Sequence, residues 1–264
     1  MSKTTAVSTA IPDVLAGMMA VVDEKAGLPA HINQNDMRGN ENVKQDDLQT
    51  PRLKLLQSIS NEVIKQHSDY IEGAEAGMLM NSVTKELFSG SVYLVNLYYV
   101  KRWNVWKTQK AGGGPVAFCA TEAEAMQALA EACEKERINP NDVVSIADTF
   151  EVVETPEHYC LLINPKDGKI QPVVVDMPST KQKVSKAWNT SLKMKNGARF
   201  GTIWEAANKM ETNGRKENYF NFELTCRGYV NGELFTKAEE AYNDVMKLFD
   251  GKVIDTTGGS LADN

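Results

Sequence analysis

Val92-Tyr93-Leu94-Val95-Asn96-Leu97-Tyr98-Tyr99-Val100-Lys101-Arg102-Trp103-Asn104-Val105-Trp106-Lys107 is the stretch on which the fold turns. Its β-branched and aromatic residues suit a pleated surface, and Gly112-Gly113-Gly114-Pro115 breaks the chain after it, so it reads as a long strand ending in a turn. Alternate residues of a strand share a face, which puts Tyr99, Lys101, Trp103 and Val105 on one side and Tyr98, Val100, Arg102, Asn104 and Trp106 on the other. Each face mixes rings with cations. A core has no use for lysine and arginine between its aromatics, whereas an unpaired nucleic-acid strand uses both, stacking its bases on rings and its phosphates near cations.

Downstream, Tyr159 to Ile163 and Ile170 to Val175 are apolar runs joined by Asn164-Pro165-Lys166-Asp167-Gly168-Lys169, a hairpin by its turn residues. Thr121 is placed to cap an amphipathic helix over 121–137, and Ser179 or Thr180 to cap another over 181–193. Strands are expected near 200–209 and 219–229, then a closing helix over 236–249. Residues 1–48 lack a pattern that could bury and read as a mobile arm; 49–250 form one domain, and 251–264 a flexible tail. Strands with few inserted helices make the chain α+β or mostly β, with too little alternation for a doubly wound sheet, and a small barrel with inserted helices fits best.

The formal net charge is −6, yet the charge is segregated. Between 179 and 216 there are nine basic residues against two acids, and between 98 and 110 four basic residues and no acid, whereas 120–160 carries ten acids against Lys135 and Arg137. Such runs are ordinarily solvated faces. Here the basic ones also carry rings: the second block runs through Lys186, Trp188, Lys193, Lys195, Arg199, Phe200 and Trp204, then Arg215, Lys216, Tyr219, Phe220 and Phe222. Trp188 and Trp204 sit among apolar residues and are expected in the core.

Enzyme signatures are missing from the sequence: there is no phosphate loop, dinucleotide fingerprint, nucleophile elbow or HExxH, and the Gly-rich stretch lacks a following lysine. Four cysteines without a CxxC pair and three scattered histidines argue against a zinc or disulfide framework. No cofactor, metal or catalytic residue is expected, although scattered acids leave a metal-dependent nuclease as a distant rival. No run approaches the roughly 20 apolar residues of a membrane helix, and 14–22 lacks a signal peptide's flanks, so a cytoplasmic protein without membrane contact is expected.

Further residues carry a resemblance. Thr50-Pro51-Arg52-Leu53-Lys54-Leu55-Leu56-Gln57, Glu72-Gly73-Ala74 through Asn81-Ser82-Val83-Thr84-Lys85-Glu86-Leu87, Tyr99 to Trp103 with Trp106, and Ser179-Thr180 opening a lysine-bearing helix are together similar to bacteriophage single-stranded DNA-binding proteins, over about residues 50–230. The resemblance implies an OB-fold, a place in phage DNA replication or recombination in the host cytoplasm, and replication or recombination proteins as partners. The chain departs from many such proteins in its last ten residues, where Asp255 and Asp263 make no strongly acidic tip for recruiting them.

The sequence is therefore read as a non-enzymatic, sequence-nonspecific single-stranded DNA-binding protein with an OB-fold-like barrel. Lys101, Arg102, Lys107, Lys181, Lys183, Lys186, Lys193 and Lys195, with Arg199, are the expected phosphate contacts, and Tyr99, Trp103, Trp106 and Phe220 the stacking rings. The two basic blocks should converge on one groove while the acidic segment faces away. The main rival is a phage structural or host-protein-binding module in which the rings form a protein interface.

Overall fold

The structure, a computed structural model, describes residues 38–43, 48–214 and 216–249. The expected tail and nearly all of the expected arm lie outside those residues. The chain divides into two compact units, Met1–Val43 and Lys44–Asn264. Of the first, the described part is a turn in which the Val43 amide donates to the Asn40 carbonyl at 3.1 Å.

The second unit is built around the expected long strand. Strands β1 (Leu53–Leu55), β2 (Leu79–Asn81) and β3 (Leu87–Phe88) make a three-stranded antiparallel sheet. The main sheet has six strands: β4 (Val92–Lys107), β5 (Pro115–Cys119), β6 (Phe150–Ile163), β7 (Ile170–Asp176), β8 (Thr202–Thr212) and β9 (Asn218–Tyr229). Their order is β7-β6-β4-β8-β9, with β5 on the second half of β4. Helices α1 (Glu122–Lys135), α2 (Val143–Thr149), α3 (Gln182–Met194) and α4 (Gly232–Phe249) pack on this sheet.

The burial of β4 follows from what covers it. Between Leu94 and Leu97 four successive residues are buried, because both faces are roofed there. On one side Val92 and Leu94 join Leu53, Leu55, Leu79 and Phe88 of the small sheet and Trp188 and Leu192 of α3. On the other, Val95 and Leu97 meet Phe200 and the Ala238 face of α4. Each large side chain so buried contributes roughly 1.5–3 kcal/mol. Trp188 and Trp204 are in the first core, as expected. Beyond a bulge between Asn96 and Tyr98 only Arg102, Asn104 and Val105 of the strand are buried, and α1 and α2 cover its far end through Val105, Cys119, Ala125, Cys133 and Phe150. Thr121 caps α1 as expected, and Glu124 completes a reciprocal capping box. Neither Ser179 nor Thr180 caps α3; a 3-10 turn, Ser179–Lys181, leads into it instead.

The expected closed barrel is replaced by an open sheet: among the described residues β7 and β9 are edges that do not pair with each other. The chain entering and leaving β1 spans them. Arg52 forms a parallel bridge with Val174, whose amide donates to the Pro51 carbonyl at 2.8 Å. At the β9 end there is no ladder, and one side chain does the joining. The Gln57 amide donates to the Phe220 carbonyl at 3.0 Å, and its oxygen accepts from the Phe220 amide at 2.8 Å. A glutamine here imitates a strand's paired donor and acceptor. Gln57→Ala leaves both backbone groups of Phe220 without a protein partner, and a loss of about 2 kcal/mol in a urea melt is expected. An unchanged midpoint would show that water replaces the glutamine at no cost.

Among the described residues no helix is long and apolar enough to cross a membrane.

Candidate nucleic-acid interface

The first basic block meets acids at every cation. β4 and β6 run antiparallel with Lys107 opposite Phe150 and Val100 opposite Glu157, which lays the acid-rich segment alongside the lysines. Lys101 pairs with Glu154 at 2.9 Å, Lys107 with Glu136, and Lys110 with Asp148 at 3.0 Å. The hydrogen bond to Glu154 raises the Lys101 pKa above its ordinary value. Arg102 is buried at 2% exposure, 3.7 Å from the fully buried Glu157 and 5.7 Å from the Phe249 ring. The acidic segment therefore does not face away from the first block but neutralises it, and Arg102 has no access to a phosphate. Trp103 packs against Val105, Cys119 and Ala125, and Trp106 meets Phe118 edge to face at 5.7 Å. Both rings are half-buried, Trp103 in the cluster that α1 covers and Trp106 on the Phe118 ring.

The second block is disposed differently. Ser185, Trp188 and Leu192 form the buried stripe of α3, so Lys183, Lys186 and Lys193 project outward. Lys183 is held at 2.7 Å by Glu211, a carboxyl that also accepts from Tyr219 and Asn221 and is pulled down to about 2, chiefly by that lysine. Lys181 lies half-buried 5.5 Å from the Phe222 ring, and burial lowers its pKa. Phe220 is pinned by Gln57 and packs on the first core. Lys186, Lys193 and Lys195 remain exposed, with no acid within ion-pair distance among the described residues. Seven positions apart, Lys186 and Lys193 lie along one side of the helix. Lys193 and Lys195 also sit where the helix dipole favours cations.

Arg199 is held at the edge of this surface by a buried polar network. It donates to Asn96, Asn189 and, at 3.2 Å, to Nδ1 of His158. The Asn96 side-chain amide donates to the same nitrogen at 3.0 Å. With Nδ1 accepting twice, the His158 proton sits on Nε2, 2.8 Å from the Ser185 hydroxyl. Burial, and secondarily the Arg199 charge, push His158 down to about 3, so it stays neutral. Burial likewise lowers the Arg199 pKa, and its guanidinium lies 5.6 Å from the Tyr99 ring.

Two clefts meet where α3 ends. Gly197, at φ 114 in the left-handed region, turns the chain there. One cleft, of about 410 Å³, is lined by Tyr99, Asn189, Leu192, Lys193, Gly197 and Arg199. The other, of about 270 Å³, shares Leu192 and Gly197 and adds Lys195, Tyr229 and Phe235. Tyr229 is 69% exposed, and the Lys195 ammonium lies 6.0 Å from its ring. So Tyr99, Lys193, Lys195 and Arg199 of the expected site come together, with Lys186 on the adjoining helix face. Arg102, Trp103, Trp106, Lys107, Lys181, Lys183 and Phe220 are engaged elsewhere, and Lys101 is paired. Tyr229 and Phe235 were missed by sequence reasoning. The available signal for Tyr229 was strand alternation, which aligns it with the exposed Glu223, Thr225 and Arg227.

Among the described residues no group of three or more His, Cys, Asp or Glu side chains is arranged to hold a metal ion. Compared with known proteins, residues 22–248 match the family described as Pam3 phage gp34-like protein. No curated protein and no solved structure matches the chain.

Proposed function

Since the chain belongs to the Pam3 phage gp34-like protein family, we propose that it is a phage-encoded protein that binds single-stranded DNA without sequence preference, in DNA replication or recombination, through the paired clefts at the end of α3. One observation carries this reading: of three exposed lysines without acid partners among the described residues, Lys195 lines one cleft beside the exposed rings of Tyr229 and Phe235, Lys193 lines the adjoining cleft, and Lys186 lies along the same side of α3 as Lys193. Unpaired bases need a ring to stack on and their phosphates need cations that are not already neutralised. Neither requirement calls for a closed barrel. Tyr99 and Arg199 would wall the second cleft, with Arg199 positioned by its network.

Fluorescence anisotropy with an oligo-dT strand and with a duplex of equal length tests the reading, because a duplex offers no unstacked base. Tighter binding to the single strand is expected. Equal affinities would leave only a charge effect. A second reading, a module that binds a host protein, is favoured by Val143 and Val144, neighbours on α2 that are each 73% exposed. Failure to bind either oligomer would turn the choice to it.

A further inference from the structure

The free edge of β9 is written to pair with itself. Both backbone groups of Phe220 point away from β8, since both bond Gln57. Alternate residues of a strand direct their groups the same way, so Leu224 and Cys226 also aim N–H and C=O outward. Among the described residues no partner meets those groups of Leu224 and Cys226. An open edge of this kind is a template for another strand.

The side chains choose which strand and in which register. Glu223, Thr225 and Arg227 are exposed on one face of β9. We propose that β9 pairs antiparallel with β9 of a second copy of the chain, about a two-fold axis through Thr225. In that register Leu224 faces Cys226 of the second copy, so two pairs of outward backbone groups are satisfied. Glu223 faces Arg227 of the second copy, and the symmetry repeats the ion pair. Moving the axis to Leu224 sets Glu223 against Thr225, and moving it to Glu223 sets like charge against like. Only Thr225 as the centre matches both charges. Within one copy Glu223 lies 3.5 Å from Lys209, and Arg227 bonds Glu205. The first is an exposed contact of little worth; the second uses two of the arginine's N–H groups on a half-buried Glu205 and leaves its further donors free. The outward pairs, Leu224 with Cys226 of the second copy, end before the bulge that the β8 pairing places at Arg227 and stop short of Tyr229, so the inference does not depend on DNA binding at the clefts.

Cysteine placed on the axis reads the register directly. Two residues facing each other across a non-hydrogen-bonded antiparallel pair have Cα atoms about 4.5 Å apart, within disulfide range. The full-length Thr225→Cys chain should therefore form a covalent dimer under mild oxidation on a non-reducing gel. Glu223→Cys places its thiols roughly 14 Å apart, at about 3.4 Å per residue, and should stay monomeric. Sedimentation velocity supplies the second arm. The wild-type chain should dimerise, Glu223→Arg should weaken the dimer about tenfold or more, and Glu223→Arg with Arg227→Glu should recover it. A wild-type chain that is monomeric at every concentration overturns the proposal. So do equal cross-linking of the two cysteine variants and a double exchange that recovers nothing in folded protein.

Discussion

Arg102→Met should cost about 3–5 kcal/mol of folding stability at pH 8 and clearly less at pH 5. Glu157 is fully buried, with Arg102 at 3.7 Å and Arg52 at 3.6 Å, and Asp176 bonded to Arg52. Burial pushes the Glu157 carboxyl up to about 7; Asp176 adds to the rise, and the two guanidinium groups oppose it. In the unfolded chain a glutamate titrates near 4.3. The folded protein therefore holds an extra proton between those values, and this group's contribution falls as pH rises through that window. Removing Arg102 takes away one opposing cation and deepens the fall. At pH 5 the folded carboxyl is protonated and needs the cation less. Methionine keeps much of the arginine stem's volume, so the comparison isolates charge. Urea melts at the two pH values measure it, and equal losses would show that Arg102 acts through packing, including its contact with Phe249.

Tyr229→Ala should weaken single-strand binding by roughly 1–3 kcal/mol, the value of one stacked base, which is about a 5- to 150-fold loss. The salt dependence should not change, because no cation is removed. Stability should hardly change either, since the ring is 69% exposed. Tyr229→Phe keeps the ring face and should bind like the wild type. A folded Tyr229→Ala chain with undiminished affinity would remove this ring from the site.

Much of the fold was legible where local pattern and tertiary context agree. β4, the β6–β7 hairpin, the capped helix α1 and the amphipathic α3 each carry a period or turn that burial then uses. The short strands β2 and β3 and the seven-residue α2 carry too few residues for a period to show. The barrel failed as an expectation because closure depends on edge pairing between distant segments, and here a side chain, Gln57, stands where a ladder would be. The same non-locality explains the site. Strand alternation put Arg102 and Lys101 on opposite faces correctly, but their neutralisers, Glu157 and Glu154, are more than fifty residues away and arrive by strand pairing. Lys193, Lys195 and Arg199 were found because their block lies on one helix and the turn after it. Tyr229 reaches them only through the register of β8 with β9.

The central claim is that the lysines at α3, and not those of the first basic block, face the nucleic acid. Its most direct measurement is the slope of log affinity against log salt for an oligo-dT strand, compared between Lys186→Ala/Lys193→Ala/Lys195→Ala and Lys101→Ala/Lys107→Ala/Lys110→Ala. Each phosphate contact on a single strand contributes about 0.7 to that slope. The first variant should lower its magnitude by about 2, and the second should leave it unchanged, since Glu154, Glu136 and Asp148 already neutralise those lysines. A slope that falls in the second variant and holds in the first would contradict the account.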